Sequence, residues 1–223
     1  MDFKPSLFDQ FTRITKALGN GNRLRMLELL AQAERSVESL AGLSGLSVAN
    51  TSRHLQQLRA AGLVQSRKEG AYVHYRLSGG GVVRLLNALG EVAEHNLAEV
   101  SQLIAQFLTA RDALEPVPHR ELLQRLRQRL VTVIDVRPPE EFAAGHVPGA
   151  INVPMPELPA WAGRARHVDT AGEVVAYCRG PYCVMAFEAV ALLRKSGLKA
   201  RRLVDGFPEW KSAGLPVEVG RSS

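Results

Sequence analysis

The sequence predicts two domains: a mainly α domain at the N-terminus and an α/β domain with a parallel sheet at the C-terminus. Three observations carry this. Residues 1–113 are rich in helical periodicity and hold one short pair of alternating segments. From residue 119 onward, valine-rich strands alternate with helical stretches, the pattern of a parallel sheet covered by helices. Between them, Leu114-Glu115-Pro116-Val117-Pro118 carries two prolines that discourage continued helix. The expected division is therefore 1–113, a linker at 114–118, a second domain at 119–217 and a tail at 218–223.

Composition narrows the class. The 223 residues are 46% apolar and 22% charged, ordinary globular values that exclude a disordered or fibrous chain. The net charge of +6 allows a polyanionic partner without demanding one. It does not single out a domain: residues 1–113 hold 13 basic and 10 acidic residues, the remainder 15 and 12, so each contributes +3. Cys178 and Cys183, the only cysteines, exclude a disulfide framework. No apolar run approaches the roughly 18 residues of a spanning helix, and the start, Met1 to Gln10, lacks the apolar core of a signal peptide. The expectation is a cytoplasmic protein that does not engage the membrane. No motif asks for a cofactor or a metal.

The first elements follow in order. Leu18 to Gln32 places Leu24, Leu27, Leu30 and Ala31 on one helical stripe, with Asn20 or Asn22 as cap. Ser36 caps a short second helix, but Ser39 stands where a capping box needs Glu or Gln. Gly42 to Gly45 turn the chain, Ser47 caps a helix over Val48 to Ala60, and Gly62 ends it. Val48, Thr51, Leu55 and Leu58 recur at core spacing. Asn50, Arg53, His54 and Gln57 share the opposite face, and Arg, Asn and Gln are side chains that bind base edges in a bidentate way. Two alternating segments, Leu63–Lys68 and Ala71–Leu77, flank a Glu69-Gly70 turn and form a hairpin. Helix, turn, polar helix and basic hairpin make a winged helix-turn-helix, with Arg67, Lys68 and Arg76 suited to phosphates. The rival is a solvated helix face beside an unrelated hairpin; the ordered series favours DNA binding.

Residues 13–77 resemble an ArsR-type winged-helix repressor, through Leu18–Leu27, Leu46–Leu55, Ala61-Gly62-Leu63-Val64 and Tyr75-Arg76-Leu77. The resemblance implies a homodimer that reads an inverted-repeat operator on double-stranded DNA in adjacent major grooves. It also exposes a departure. Metal-sensing relatives carry a cysteine pair in the helix before the reading helix. The matching stretch here, Arg35-Ser36-Val37-Glu38-Ser39-Leu40, has none, so soft-metal sensing there is not expected. His95 among Glu91, Glu94 and Glu99 reads as a solvated face rather than a ligand set. From Val82 to Leu108 an apolar stripe recurs through positions 85, 86, 89, 92, 93, 97, 100, 103, 104 and 107. As one helix it would run about 40 Å, too long for one small domain to cover, and it reads as the dimer helix.

In the second half, Val131–Val136 is a buried strand followed by a helix start with proline in its first turn, Arg137–Phe142. Val174–Tyr177 is a second buried strand that runs straight into Cys178, and a helix over Val184–Ser196 follows. Backbone N–H groups at the carboxyl end of a parallel strand, ahead of a helix N-terminus, favour an anion and lower a thiol pKa there. Arg179 adds positive charge. A thiolate at Cys178 can then attack sulfane sulfur and hold it as a persulfide. The rival is a small buried cysteine at a strand end.

Residues 119–217 resemble a rhodanese domain, making the C-terminal half α/β rhodanese-like. The carrying motifs are Val133-Ile134-Asp135-Val136-Arg137, Glu141-Phe142 with Gly145–Pro154, and Asp205–Trp210 with Ala213–Val217. The resemblance makes Cys178 the sulfur-accepting nucleophile, cradled by Arg179, Gly180, Pro181, Tyr182, Cys183 and Val184; Asp135, Arg137 and His146 fall in motifs read as structural. Cys183 sits where thiosulfate-using forms carry a basic or hydroxyl residue. That departure sets thiosulfate below polysulfide or a low-molecular-weight persulfide as donor. Cys183 either packs under the helix or attacks a Cys178 persulfide, releasing sulfide and closing a disulfide.

The combined reading is a dimeric, sulfur-responsive transcriptional regulator that accepts sulfane sulfur on Cys178. The alternatives are a rhodanese-type sulfurtransferase whose helical half serves for dimerisation, and a Cys178–Cys183 thiol redox switch.

Overall fold

The computed structural model describes residues 2–108, 116–165 and 172–220. The chain divides into two compact units, Met1–Asn87 and Ala88–Ser223. The linker expected at 114–118 begins outside the described residues.

In the first unit, α1 (Phe3–Leu18) and α2 (Gly21–Gln32) are separate helices. Asn20, in extended backbone, accepts the Arg23 N–H at 3.2 Å and starts α2, so the single helix read from Leu18 begins three residues later, at Gly21. No helix was expected before Leu18, although Phe3, Leu7, Phe11, Ile14 and Leu18 recur every three or four positions. After β1 (Arg35–Ser36) comes α3 (Val37–Ser44), capped by the Ser36 hydroxyl at 3.2 Å from Ser39 N and closed by Gly45 at φ 70°. Next, α4 (Val48–Ala60) has the bounds its caps imply. The hairpin pairs β2 (Val64–Glu69) with β3 (Tyr72–Leu77), in register from Val64↔Leu77 to Glu69↔Tyr72, and β1 joins the other edge of β3. Met26, Leu27, Leu30, Leu40, Leu55, Leu58, Val64 and Tyr75 form the core, each large side chain worth about 1.5–3 kcal/mol on burial. Val48 departs from its expected place. It is 49% exposed, because as the first residue of α4 it lies a full turn ahead of the buried stripe from Thr51.

The long stripe is not one helix. It forms α5 (Gly80–Asn96) and α6 (Ala98–Phe107), broken at Leu97, whose φ is −114° and ψ 107°. Polar side chains compete for the backbone at the break. Asn96 Nδ2 donates to Val92 O at 2.8 Å, and the Ser101 hydroxyl donates to Glu94 O at 2.7 Å. No helix among the described residues is long and apolar enough to cross a membrane.

The second unit holds a four-stranded sheet of order β5-β4-β6-β7, parallel throughout: β4 (Val131–Asp135), β5 (Ile151–Asn152), β6 (Glu173–Tyr177) and β7 (Ala200–Arg202). Helices α7 (His119–Arg127), α8 (Pro139–Ala144), α9 (Leu158–Ala165), α10 (Val184–Lys195) and α11 (Phe207–Ser212) accompany it. Strand alternation sorts the core into two layers, as a parallel sheet covered on both faces requires. Ile134, Val174, Ala176 and Cys178 pack with Leu158, Ala189 and Leu193. Val133, Val175 and Tyr177 pack on the other face with Leu122, Phe142, Phe207 and Trp210.

Two outer segments differ from expectation. Val117, read as linker, is fully buried and bridges Leu203; its N–H donates to Arg202 O at 2.8 Å and its carbonyl accepts from Val204 N at 3.0 Å. Its flanking prolines hold an extended backbone while leaving Val117 its own N–H and C=O to pair. The tail likewise starts inside the fold: Glu218 exchanges backbone hydrogen bonds with His146 at 2.9 and 3.0 Å, and Gly220 N donates to Ala143 O at 2.9 Å.

Candidate functional site

On α4, the Ser47 hydroxyl accepts the Asn50 N–H at 3.3 Å, so Ser47 caps the start of this helix. Asn50, Arg53, His54 and Gln57 lie along one side of α4, Arg53 and Gln57 exposed and the other two partly buried. Sequence reasoning missed Arg23. Its Nη1 donates to Gln57 Oε1 at 2.6 Å, while Nε and Nη2 hold Ala17 O and Lys16 O at 2.5 and 2.9 Å. The Gln57 side-chain carbonyl is therefore already engaged within the protein. Nothing in the spacing of Arg23 and Gln57 signals this pairing. Burial, then Arg23 and Arg53, lower the His54 pKa, and Nδ1 is buried without a hydrogen-bond partner. Arg13, Lys16 and Arg23 line a cleft of about 410 Å³ beside Gln57 and Ala60. On the hairpin, Arg67 pairs with Glu34 and Glu69, whereas Lys68 is exposed. Arg76 donates to Gln65 Oε1 at 2.8 Å.

The second candidate site is the loop from the end of β6 to the start of α10. Cys178 is 1% exposed, its Sγ 3.6 Å from Cys183 O and 4.0 Å from Gly180 O. The Cys183 N–H closes a turn onto Gly180 O at 3.1 Å, and Cys183 becomes the N-cap of α10. Pro181 and Val184 are partly buried, and Tyr182 is exposed at the tip. Gly206 braces the loop from outside: a Cβ there would lie 2.2 Å from Gly180 N, and Phe207 N donates to Cys178 O at 3.1 Å. Glu209 accepts the Gly206 N–H at 3.0 Å, holding the brace. The Asp205–Trp210 motif carries part of the rhodanese resemblance, but nothing in its spacing shows it pressing on this loop.

The charge pattern differs from the expected one. Burial, followed by its neighbour Cys183, pushes the Cys178 thiol well above its ordinary pKa. Cys183 is drawn down to about 7, chiefly by the hydrogen bond from the Cys178 thiol, against the effect of its own burial. No backbone N–H closes a full cap bond on the Cys183 sulfur, but those of Arg179 and Met185 favour its thiolate, as does the Arg179 charge. The physical reason is position: Cys178 lies in the apolar layer under the sheet, while Cys183 stands where the helix begins. The Arg179 guanidinium grips the fully buried Glu141 carboxylate, with Nε at 2.9 and 3.1 Å and Nη2 at 2.7 Å. Asp135 and Arg137 form a fully buried pair, Arg137 also reaching Gly145 O at 2.7 Å, and His146 bonds Phe142 O at 2.9 Å through Nδ1. These three hold the strand end and the following turn. No cluster of three metal-ligating side chains occurs among the described residues.

Comparison with known proteins agrees with both halves. The profile of bacterial regulatory proteins of the arsR family matches residues 20–66, and that of the rhodanese-like domain matches residues 118–213. The HTH-type transcriptional regulator Rv0324 of Mycobacterium tuberculosis is 45% identical over 219 residues, 98% of this chain and 95% of that protein. The chain belongs to the arsR family of regulators. This arsR-family regulator carries its rhodanese-like domain C-terminal to the winged helix. Over 100 residues, 42% of the regulator, it is 32% identical to a sulfurtransferase of Allochromatium vinosum, covering 89% of that protein. A solution structure of the homodimeric winged helix-turn-helix domain of Mycobacterium bovis Mb0332, fragment 1–100, shares 44% identity. It covers 44% of the regulator and 90% of that fragment, with a TM-score of 0.41.

Proposed function

We propose that this arsR-family regulator is a cytoplasmic homodimer whose operator binding responds to sulfane sulfur held in the 178–183 loop. One observation carries the reading: the only two thiols of the chain lie in one strand-to-helix loop, where the Cys178 sulfur is 3.6 Å from the Cys183 carbonyl oxygen. In this reading Arg53 and Asn50 contact base edges from α4, the Gln57 amide assists, and Ser47 and His54 position the helix against DNA. Lys68 and, after exchange from its carboxylates, Arg67 reach phosphates. The partner subunit covers the α5 stripe, where Leu85, Leu89 and Val92 are 38%, 42% and 60% exposed. The donor is a polysulfide or a low-molecular-weight persulfide ahead of thiosulfate. When a Cys183 thiolate attacks the inner sulfur of a Cys178 persulfide, a Cys178–Cys183 disulfide forms and hydrosulfide leaves, with no further oxidant.

The test pairs intact-protein mass with affinity for a randomised DNA pool, on one sample, before and after glutathione persulfide. Added sulfur with changed affinity in wild type, and no change in affinity for Cys178→Ser, is the expected result; an equal DNA response in Cys178→Ser removes it. A second reading, a sulfurtransferase tethered to a dimerising domain, is favoured by the likeness to the Allochromatium vinosum sulfurtransferase. Added sulfur with unchanged DNA binding, together with multiple-turnover thiocyanate formation from cyanide, would select it. An equal response to peroxide would select a thiol redox switch.

A further inference from the structure

The loop that holds both thiols also touches a helix. Tyr182, at its tip, is followed directly by Cys183, whose N–H closes the turn onto Gly180 O. The Tyr182 ring lies against α5 at Gly90. A Cβ on Gly90 would stand 2.9 Å from the Tyr182 hydroxyl oxygen and 3.1 Å from Cε2. Those approaches are too close for a side-chain carbon, so the ring uses the space that only glycine leaves free. One turn further along α5, Glu94 Oε2 accepts the Tyr182 hydroxyl at 3.4 Å. Burial, then Glu94 and Glu91, raise the Tyr182 pKa, which keeps the hydroxyl protonated and able to donate. Gly90, Glu94 and Tyr182 all belong to the second unit. At 3.6 residues per turn, Gly90 and Glu94 lie on the side of α5 away from Leu85, Leu89 and Val92. The tyrosine therefore leaves exposed the stripe proposed above for the partner subunit. The same helix starts at Gly80, three residues after β3 of the hairpin ends.

We propose that Gly90 and Glu94 form a seat on α5 for Tyr182, and that this contact carries the sulfur state of the loop to α5. This rests on the reading that the loop takes up sulfur and that DNA binding responds. When the Cys183 thiolate attacks the inner sulfur of a Cys178 persulfide, the Cys178–Cys183 bond forms, the persulfide S–S bond breaks and hydrosulfide leaves with its electron pair. The new bond ties both ends of the turn that bears Tyr182. The tip moves with Cys183, its chain neighbour, and the ring shifts on its seat. Contacts to Gly90 and Glu94 then differ between the two states of the loop, which is what a coupling between two sites requires. One face of α5 thus answers to the loop while the other is left for the partner subunit.

The test uses the full chain, glutathione persulfide and the randomised DNA pool, with intact mass and affinity read on one sample. Gly90→Ala sets a methyl group against the tyrosine ring, which is 45% exposed and free to swing away. Alanine also favours a helix interior, so the fold is kept. This variant should react with the persulfide as wild type does. Its DNA affinity should change by less than about twofold on treatment, where wild type should change by about fivefold or more. Tyr182→Ala empties the seat from the loop side and should lose the DNA response as well, compared at equal modification of the thiols. A wild-type response in Gly90→Ala, or in equally modified Tyr182→Ala, overturns the seat and leaves the sulfur reading standing. Loss of the persulfide reaction in Gly90→Ala overturns it too, since the contact would then shape the loop instead of reporting on it. A wild-type chain that does not react, or reacts with no change in affinity, removes the sulfur reading and the seat together.

Discussion

Helices α4 and α10 begin in the same way and end up with opposite duties at their first residue. At α4 the N-cap is Ser47, a hydroxyl that accepts the Asn50 N–H, and the side chains proposed to meet DNA lie further along the face. At α10 the N-cap is Cys183, a weak acceptor as a thiol that closes no cap bond, and its ionised form is favoured chiefly by its neighbour Cys178 and then by the N–H groups of Arg179 and Met185. A good neutral cap settles a helix terminus; a poor one leaves the residue there to its neighbours.

The largest effect that would break this comparison lies on the sheet face opposite α10. Asp135→Ala leaves Arg137 charged and fully buried without its carboxylate, and should cost about 3–5 kcal/mol. Chemical denaturation should show the loss in the second unit, with the thermal transition of the first unit unmoved; a change under about 1 kcal/mol would mean the pair is replaceable, as some buried pairs are. Next, Gly206→Ala drives a Cβ into Gly180 N and should destabilise by about 1–3 kcal/mol. Sulfur loading should fall while DNA affinity stays at the wild-type value, and an unaltered loading rate would show that the brace does not shape the loop. Arg53→Ala should weaken operator binding by about 1–3 kcal/mol and relax one base preference, read from selected sequences; uniform weakening would instead make Arg53 a phosphate contact. The smallest effects sharpen the contrast directly. Ser47→Ala should cost about 1 kcal/mol of stability through the lost cap, whereas Cys183→Ser puts a hydroxyl at the start of α10 and should keep or raise stability. A destabilising Cys183→Ser would show that the thiol itself holds the helix start.

Much of this was legible in the residues, and the losses have physical reasons. Ser36, Ser47 and Gly62 marked their helix ends because capping and left-handed backbone are decided within a few residues. The unbroken stripe from Val82 to Leu108 misled because apolar periodicity does not register Asn96 and Ser101 competing for carbonyls at the break. Val117 and Glu218 looked like connections since each pairs with a residue distant in the chain, Leu203 and His146. Arg23 on Gln57 and Gly206 on the cysteine loop escaped for the same reason.

The residues by themselves determined the two fold classes, the polar face of α4, and the concentration of both thiols in one strand-to-helix loop, because these depend on local periodicity, capping and composition. Only the tertiary structure decided which thiol has its pKa raised and which has it lowered. The reason is that a pKa answers to desolvation and to the groups brought alongside, and both were set by how the sheet layer closed over Cys178 while leaving Cys183 at the start of α10.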